Sequence, residues 1–257
     1  MTETLRQTWY MTQRQLTALL RQPAFLLITL IQPVIWLFLF GALFRKVVEL
    51  PGFGGSYLDY LVPGVVAMSA LSSAMWAGMG TLEEIERGTL NRFLTTPVSR
   101  SALMNANVVQ QGLSTAVQSV IIVLLGKAGG ADYPGGVAGL AVLVAASVLL
   151  GTLIGAGSNA LGMLVRQRES IIGINTFLLL PLTFLSSAFM KPVLMPSWMR
   201  HIAEFNPLDW ALVAGRSAMS ADPDWGVVLG RGGALLLAAV VAVWLSTRTF
   251  RAYQRSV

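Results

Sequence analysis

Acids and arginines gather in one short stretch of this 257-residue sequence, Glu83-Glu84-Ile85-Glu86-Arg87-Gly88-Thr89-Leu90-Asn91-Arg92-Phe93-Leu94. Glu83 and Arg87 stand four apart with the acid first, the order that supports a helical turn. Leu90, Phe93 and Leu94 then share one side of a second turn. A knuckle with acids, Arg87, Arg92 and one apolar edge offers recognition rather than bond-making, and it suits docking to another protein. A solvated loop joining two apolar segments is the plainer reading of the same spacing.

Bond-making chemistry finds little support elsewhere. There is no cysteine, hence no disulfide, thiolate or thiolate–metal site. The only histidine, His201, falls in a loop between apolar segments. Ser158 follows Gly157, but an intramembrane serine protease needs a histidine base at membrane depth. Gly126-Lys127 is followed by Ala128 and lacks the upstream glycine of a phosphate-binding loop, so no ATP site of that kind is expected on this chain.

Polar groups inside the apolar segments are the remaining candidates. Asn107, Gln111, Ser114 and Gln118 form a stripe at helical spacing, and Gln32 precedes Pro33, with Trp36 and Phe40 one and two turns on. Such groups either bond neighbouring helices or line a route for a substrate. Gln32, Trp36, Gln111 and Gln118 are the candidates for an amphipathic substrate's path, with simple helix packing as the alternative. Gly151 and Gly155 form a GxxxG pair that permits close helix packing within the chain or, second, between copies.

The elements that must carry these residues are apolar helices. Hydrophobic residues make up 54% of the sequence and charged residues 12%, against about a quarter charged in soluble domains. Six segments are long enough to span, at 23–44, 60–82, 101–125, 137–165, 171–190 and 227–247. The fold class expected is an all-α integral membrane protein with those six transmembrane helices in one domain. Before the first, over 1–22, Leu5, Trp9, Leu16 and Leu20 share a face opposite Arg14 and Arg21, an amphipathic helix for the membrane interface. No cleavable signal is expected there, since Arg14 and Arg21 separate the start from the first apolar run. Between spans five and six, over 191–226, two short outer helices are expected to dip into the interface. Asn206 can cap the second, Pro207 suits its first position and Asp209 its first turn.

Eleven of the eighteen Lys and Arg fall in the termini and the loops at 83–100 and 166–169, which places both termini and the knuckle on the cytoplasmic side. The basic residues edge the apolar runs, the pattern of membrane topology rather than nucleic-acid binding. Arg far exceeds Lys, with many Ala, Gly and Val, which hints at a GC-rich bacterial genome. No carboxylate interrupts the first five spans, which argues against an ion-coupled carrier. A carrier or channel is nonetheless the main rival reading.

The run Glu86-Arg87-Gly88-Thr89-Leu90, followed by Thr96-Pro97-Val98-Ser99-Arg100, resembles the cytoplasmic motif of type-2 ATP-binding-cassette (ABC) exporter permeases, in the daunorubicin-resistance-like and nodulation-type subgroups. Leu180-Pro181-Leu182-Thr183-Phe184-Leu185-Ser186 and Phe205-Asn206-Pro207-Leu208 resemble that family's fifth-span and outer motifs, in the same order. The resemblance implies that 83–97 is a coupling helix on a separate ABC ATPase subunit, through Glu83, Glu86, Arg87, Gly88, Leu90, Arg92 and Phe93. It implies ATP and Mg on that partner and no cofactor on this chain. It also implies a second permease copy or a related permease, and a multi-pass protein of the bacterial cytoplasmic membrane that moves a hydrophobic or amphipathic substrate, drug-like or lipid-like, outward.

Overall fold

The computed structural model of the chain describes Tyr10, Gln13, Thr17 and residues 23–44, 56–87 and 100–254. Every regular element among them is helical. Helix α1 spans Pro23–Ile35 and holds Pro33, which cannot donate a backbone hydrogen bond. The chain then widens into a π-turn, Trp36–Phe40, before a last turn at Gly41–Leu43. Proline and π-turns are the ordinary causes of helix bending.

Helix α2, Tyr57–Met75, opens with a capping box. Ser56 Oγ accepts the N–H of Leu58 at 3.3 Å, and Asp59 Oδ2 accepts the N–H of Ser56 at 3.2 Å. The other Asp59 oxygen accepts the N–H of Asp132 at 2.8 Å, so the cap also holds the connection between the next two long helices. There Lys127 donates to Asp132 at 3.2 Å. That bond, with the backbone N–H of Tyr133, holds the exposed Asp132 carboxyl below the usual carboxylate range.

After Trp76 comes α3, Ala77–Glu86. The remaining helices are α4 (Arg100–Ala128), α5 (Gly136–Val165), α6 (Arg168–Phe184), α7 (Ser197–Ala203), α8 (Pro207–Met219) and α9 (Trp225–Gln254). Helix α5 is the central post: α9, α8, α4, α2 and α3 all pack on it. Its small residues let backbones meet. A Cβ on Gly139 would lie 2.4 Å from the carbonyl oxygen of Ala218 in α8, and one on Gly162 would lie 2.5 Å from that of Gly78 in α3. The Gly151/Gly155 pair faces Thr115 and Gln111 of α4, so its close packing is within the chain. Leu61, Val65, Ile122 and Leu143 centre one buried apolar cluster; Leu71, Leu150, Leu208 and Leu235 centre the other.

Four helices among the described residues are long and apolar enough to cross a membrane: Tyr57–Glu86, Asn107–Ala128, Gly136–Val165 and Trp225–Thr249. Thr29–Leu43 is apolar but shorter. Apolar side chains point outward in stripes, as Val109, Leu113, Val117, Val120 and Leu124 do on α4. Lipid tolerates such stripes because a helix satisfies its own backbone.

The fifth apolar segment departs from the expected 171–190. It is helical from Arg168 only to Phe184, and residues 186–190 run through bends. Serine side chains take over the backbone there: Ser186 Oγ donates to the Thr183 carbonyl at 2.7 Å, and Ser187 is drawn to Asp209. The interfacial helix expected over 1–22 lies outside the described residues, except that Tyr10, Gln13 and Thr17 are helical and Thr17 Oγ1 donates to the Gln13 carbonyl at 2.8 Å.

Candidate functional site

The charged knuckle hangs from α3, and α3 is set off from α2 by a break at Trp76. In an unbroken helix the Met75 carbonyl would accept the N–H of Met79, but that N–H goes to Trp76 instead, at 3.0 Å. The freed carbonyl is taken by Ser158 Oγ of α5 at 2.5 Å and by Asn175 Nδ2 of α6 at 2.7 Å. The same Ser158 oxygen accepts the N–H of Gly78 at 3.0 Å. One hydroxyl thus serves a donor and an acceptor that the break leaves open. A turn further on, Thr81 Oγ1 donates to Asn159 Oδ1 at 2.9 Å. Only glycine fits at 78, where a Cβ would stand 2.1 Å from the Ser158 carbonyl oxygen.

At the end of α3, Arg87 reaches back to Glu83 at 3.3 Å, the pair the spacing predicts. Glu86 is engaged differently. Arg168, first residue of α6, faces its carboxylate with two nitrogens, Nε to Oε1 at 3.2 Å and Nη2 to Oε2. Such fork-on-carboxylate pairs fix geometry as well as charge. The tight turn before Arg168 places Arg166 at φ +53°, the left-handed cap usually given to glycine, and Arg166 Nε donates to the Met163 carbonyl at 3.3 Å. So α3, the α5–α6 turn and α6 meet at one charged corner. Gly88, Leu90, Arg92 and Phe93, with the expected helix beyond Arg87, lie outside the described residues.

The four candidate path residues have separate surroundings. Gln32 is exposed. Trp36 joins an aromatic cluster, 4.3 Å from Phe40 and 5.1 Å from Phe189 between ring centroids. Gln111 donates to Thr115 Oγ1 at 3.3 Å on its own helix, beside α5, and Gln118 is half-buried.

The Asn206-Pro207-x-Asp209 motif caps α8 as expected: Asn206 Oδ1 accepts the N–H of Leu208 at 3.0 Å. Both side chains do more. Asn206 Nδ2 donates to the carbonyls of Leu182 and Leu185, at 2.7 and 2.9 Å, covering the end of α6. Asp209 Oδ1 accepts both the N–H and the hydroxyl of Ser187, at 2.8 and 2.5 Å. Sequence reasoning passed over Arg216, two turns along α8, which reaches the same bends, and Arg168. Each is an ordinary basic residue near a helix end, and no spacing rule reveals its distant partner.

The family model for the ABC-2 type transporter matches residues 6–220. The chain belongs to that family. It is 28% identical to the daunorubicin resistance ABC transporter permease protein DrrB1 of Streptomyces coeruleorubidus, over 96% of this chain and 86% of that one. Against a putative transport permease, ycf38, of Porphyra purpurea the identity is 27%, over 98% and 88%. With the inner membrane transport permease YadH of Escherichia coli K12 it is 24%, over 84% of each. This ABC-2 chain is thus a membrane-spanning permease subunit of an ABC exporter, and its long apolar helices agree with that.

Proposed function

We propose that this permease moves a hydrophobic or amphipathic molecule outward across a bacterial cytoplasmic membrane, driven by a separate ABC ATPase subunit. The family resemblance to a daunorubicin resistance permease supports the substrate class. Six spans are assigned: the four long apolar helices plus the shorter α1 and α6, with both termini and the α3 end in the cytoplasm. The bends at 186–190, α7 and α8 then lie toward the outside. Two permease copies, or this one and a relative, would enclose the route.

The observation that carries the coupling assignment is the charged corner. Glu83, Glu86 and Arg87 lie at the end of a short helix that a break sets off from α2, and Arg168 ties that end to α6. A push delivered at Gly88–Phe93 would act on α3 and, through Glu86 and Arg168, on α6. ATP binding on the partner would favour one of two packings of these helices, a rigid-body change driven by differential affinity. Mg and ATP belong to the partner. Gln32, Trp36, Gln111 and Gln118 stand as candidates for the route.

The test is purification of the tagged chain from solubilised membranes, with identification of what accompanies it and an ATPase assay. A stoichiometric soluble subunit with a phosphate-loop motif and ATP hydrolysis is expected. A chain that emerges alone and indifferent to ATP overturns the proposal in favour of a carrier or channel.

A further inference from the structure

A partly buried arginine whose guanidinium turns into the protein is costly unless its donors are satisfied. Arg216 sits on α8, itself seated on the central post, where Leu143 fills the space beside Gly215. Its guanidinium crosses to the bends that follow α6. Nη1 donates to the Ser187 carbonyl at 2.6 Å and to Ser187 Oγ at 3.2 Å; Nη2 donates to the carbonyls of Ala188 and Tyr60, each at 3.0 Å. Its Cζ lies 3.6 Å from the centre of the Tyr60 ring, within cation–π reach. Tyr60 Oη in turn donates to the Ser187 carbonyl at 2.6 Å, and Tyr57 Oη to that of Phe189 at 3.3 Å. Only Nε lacks a partner among the described residues.

Three carbonyls and a hydroxyl on two separate segments are a large claim on one side chain. What they fix is the position of Phe189, whose ring lies against Trp36, Phe40 and Phe184. We infer that Arg216 is a positioning residue for transport: it pins the bends that follow α6 to α2 and α8, and so sets Phe189 against the π-turn that follows α1. The inference rests on the exporter reading for its transport arm alone. Asp209, on the same helix, supports the same pin by accepting the N–H and the hydroxyl of Ser187. The planar fork matters, because an ammonium could not serve carbonyls on both segments in that geometry.

Hydrogen exchange followed by mass spectrometry, on the full chain in nanodiscs with any co-purifying subunit, tests this. In Arg216→Met the amides of 185–190 should exchange at least tenfold faster, while peptides from 143–156 and 208–219 keep their protection. Substrate moved per ATP hydrolysed should fall at least fivefold with subunit stoichiometry unchanged, and Arg216→Lys should recover part of both. Unchanged exchange at 185–190 overturns the pin, and full transport despite faster exchange overturns its role in transport. If Arg216→Met also loosens 143–156, Tyr60→Phe and Asp209→Ala decide instead. The first removes one bond to the bends and the second removes two, so a rise confined to 185–190 supports the pin and no change in either overturns it. Where even the unaltered chain brings no ATPase with it, the exporter reading fails, and the exchange result still decides the pin.

Discussion

Ser158 shows how much one hydroxyl settles. It donates to the Met75 carbonyl and accepts from the Gly78 N–H, so the break at Trp76 leaves neither unpaired. Replacing it by alanine strands the Gly78 N–H and leaves Met75 to Asn175 alone. A loss of about 1–3 kcal/mol is expected, read as a lower Tm in detergent. Gly78→Ala is expected to cost a similar ~1–3 kcal/mol by overpacking, since its Cβ would meet Ser158 backbone. Gly80→Ala, two residues on with open space around it, is the control and should leave Tm within error of the parent. Equal Tm values for the two alanine variants would show that α3 does not press on α5 as described.

At the scale of elements, α3 is a short helix held by polar bonds at its start and an ion pair at its end. Breaking Glu86 from Arg168 should matter little for folding, because both side chains are about half exposed and such pairs are weak. It should matter for coupling. Glu86→Arg or Arg168→Glu alone is expected to lower substrate-stimulated ATP hydrolysis severalfold with assembly intact, and the double exchange to restore most of it. If the double variant behaves like the worse single one, the two residues act separately. Charge reversal at Arg87 tests the knuckle itself: unchanged assembly and unchanged stimulated hydrolysis would remove it from the docking surface.

For the whole molecule, the sidedness assigned here can be read directly, because the chain has no cysteine of its own. A cysteine at Asp132, in the α4–α5 connection, should react with an impermeant maleimide on intact cells. One at Glu84 should react only after permeabilisation. The reverse pattern would invert the molecule and put the charged corner out of any ATPase's reach. The architecture also divides the helices. α5 gathers α2, α3, α4, α8 and α9 around it, whereas α1 with the turns after it and α6 point apolar side chains outward, Ile35, Leu39 and Leu43 on one and Phe177, Leu180 and Phe184 on the other.

Much of this was open to reading from local pattern, since local pattern is what makes a helix. Apolar runs bounded by charged residues located the long helices. Asn206-Pro207 announced the start of α8, because an N-cap and a proline at the first turn act within three residues. The i, i+4 relation of Glu83 and Arg87 is likewise a property of one turn. The sequence by itself determined these elements and, through the ordered motifs, the family. Tertiary structure alone decided where polar side chains spend their bonds. Ser158 and Asn175 converge on Met75 from about 80 and 100 residues away, and Arg216 meets Tyr60 across about 156. The break at Trp76 and the early end of α6 at Phe184 follow from those partners. An apolar run reads as one continuous helix until something outside it captures its carbonyls. That capture depends on which faces come together, and no spacing along the chain encodes it.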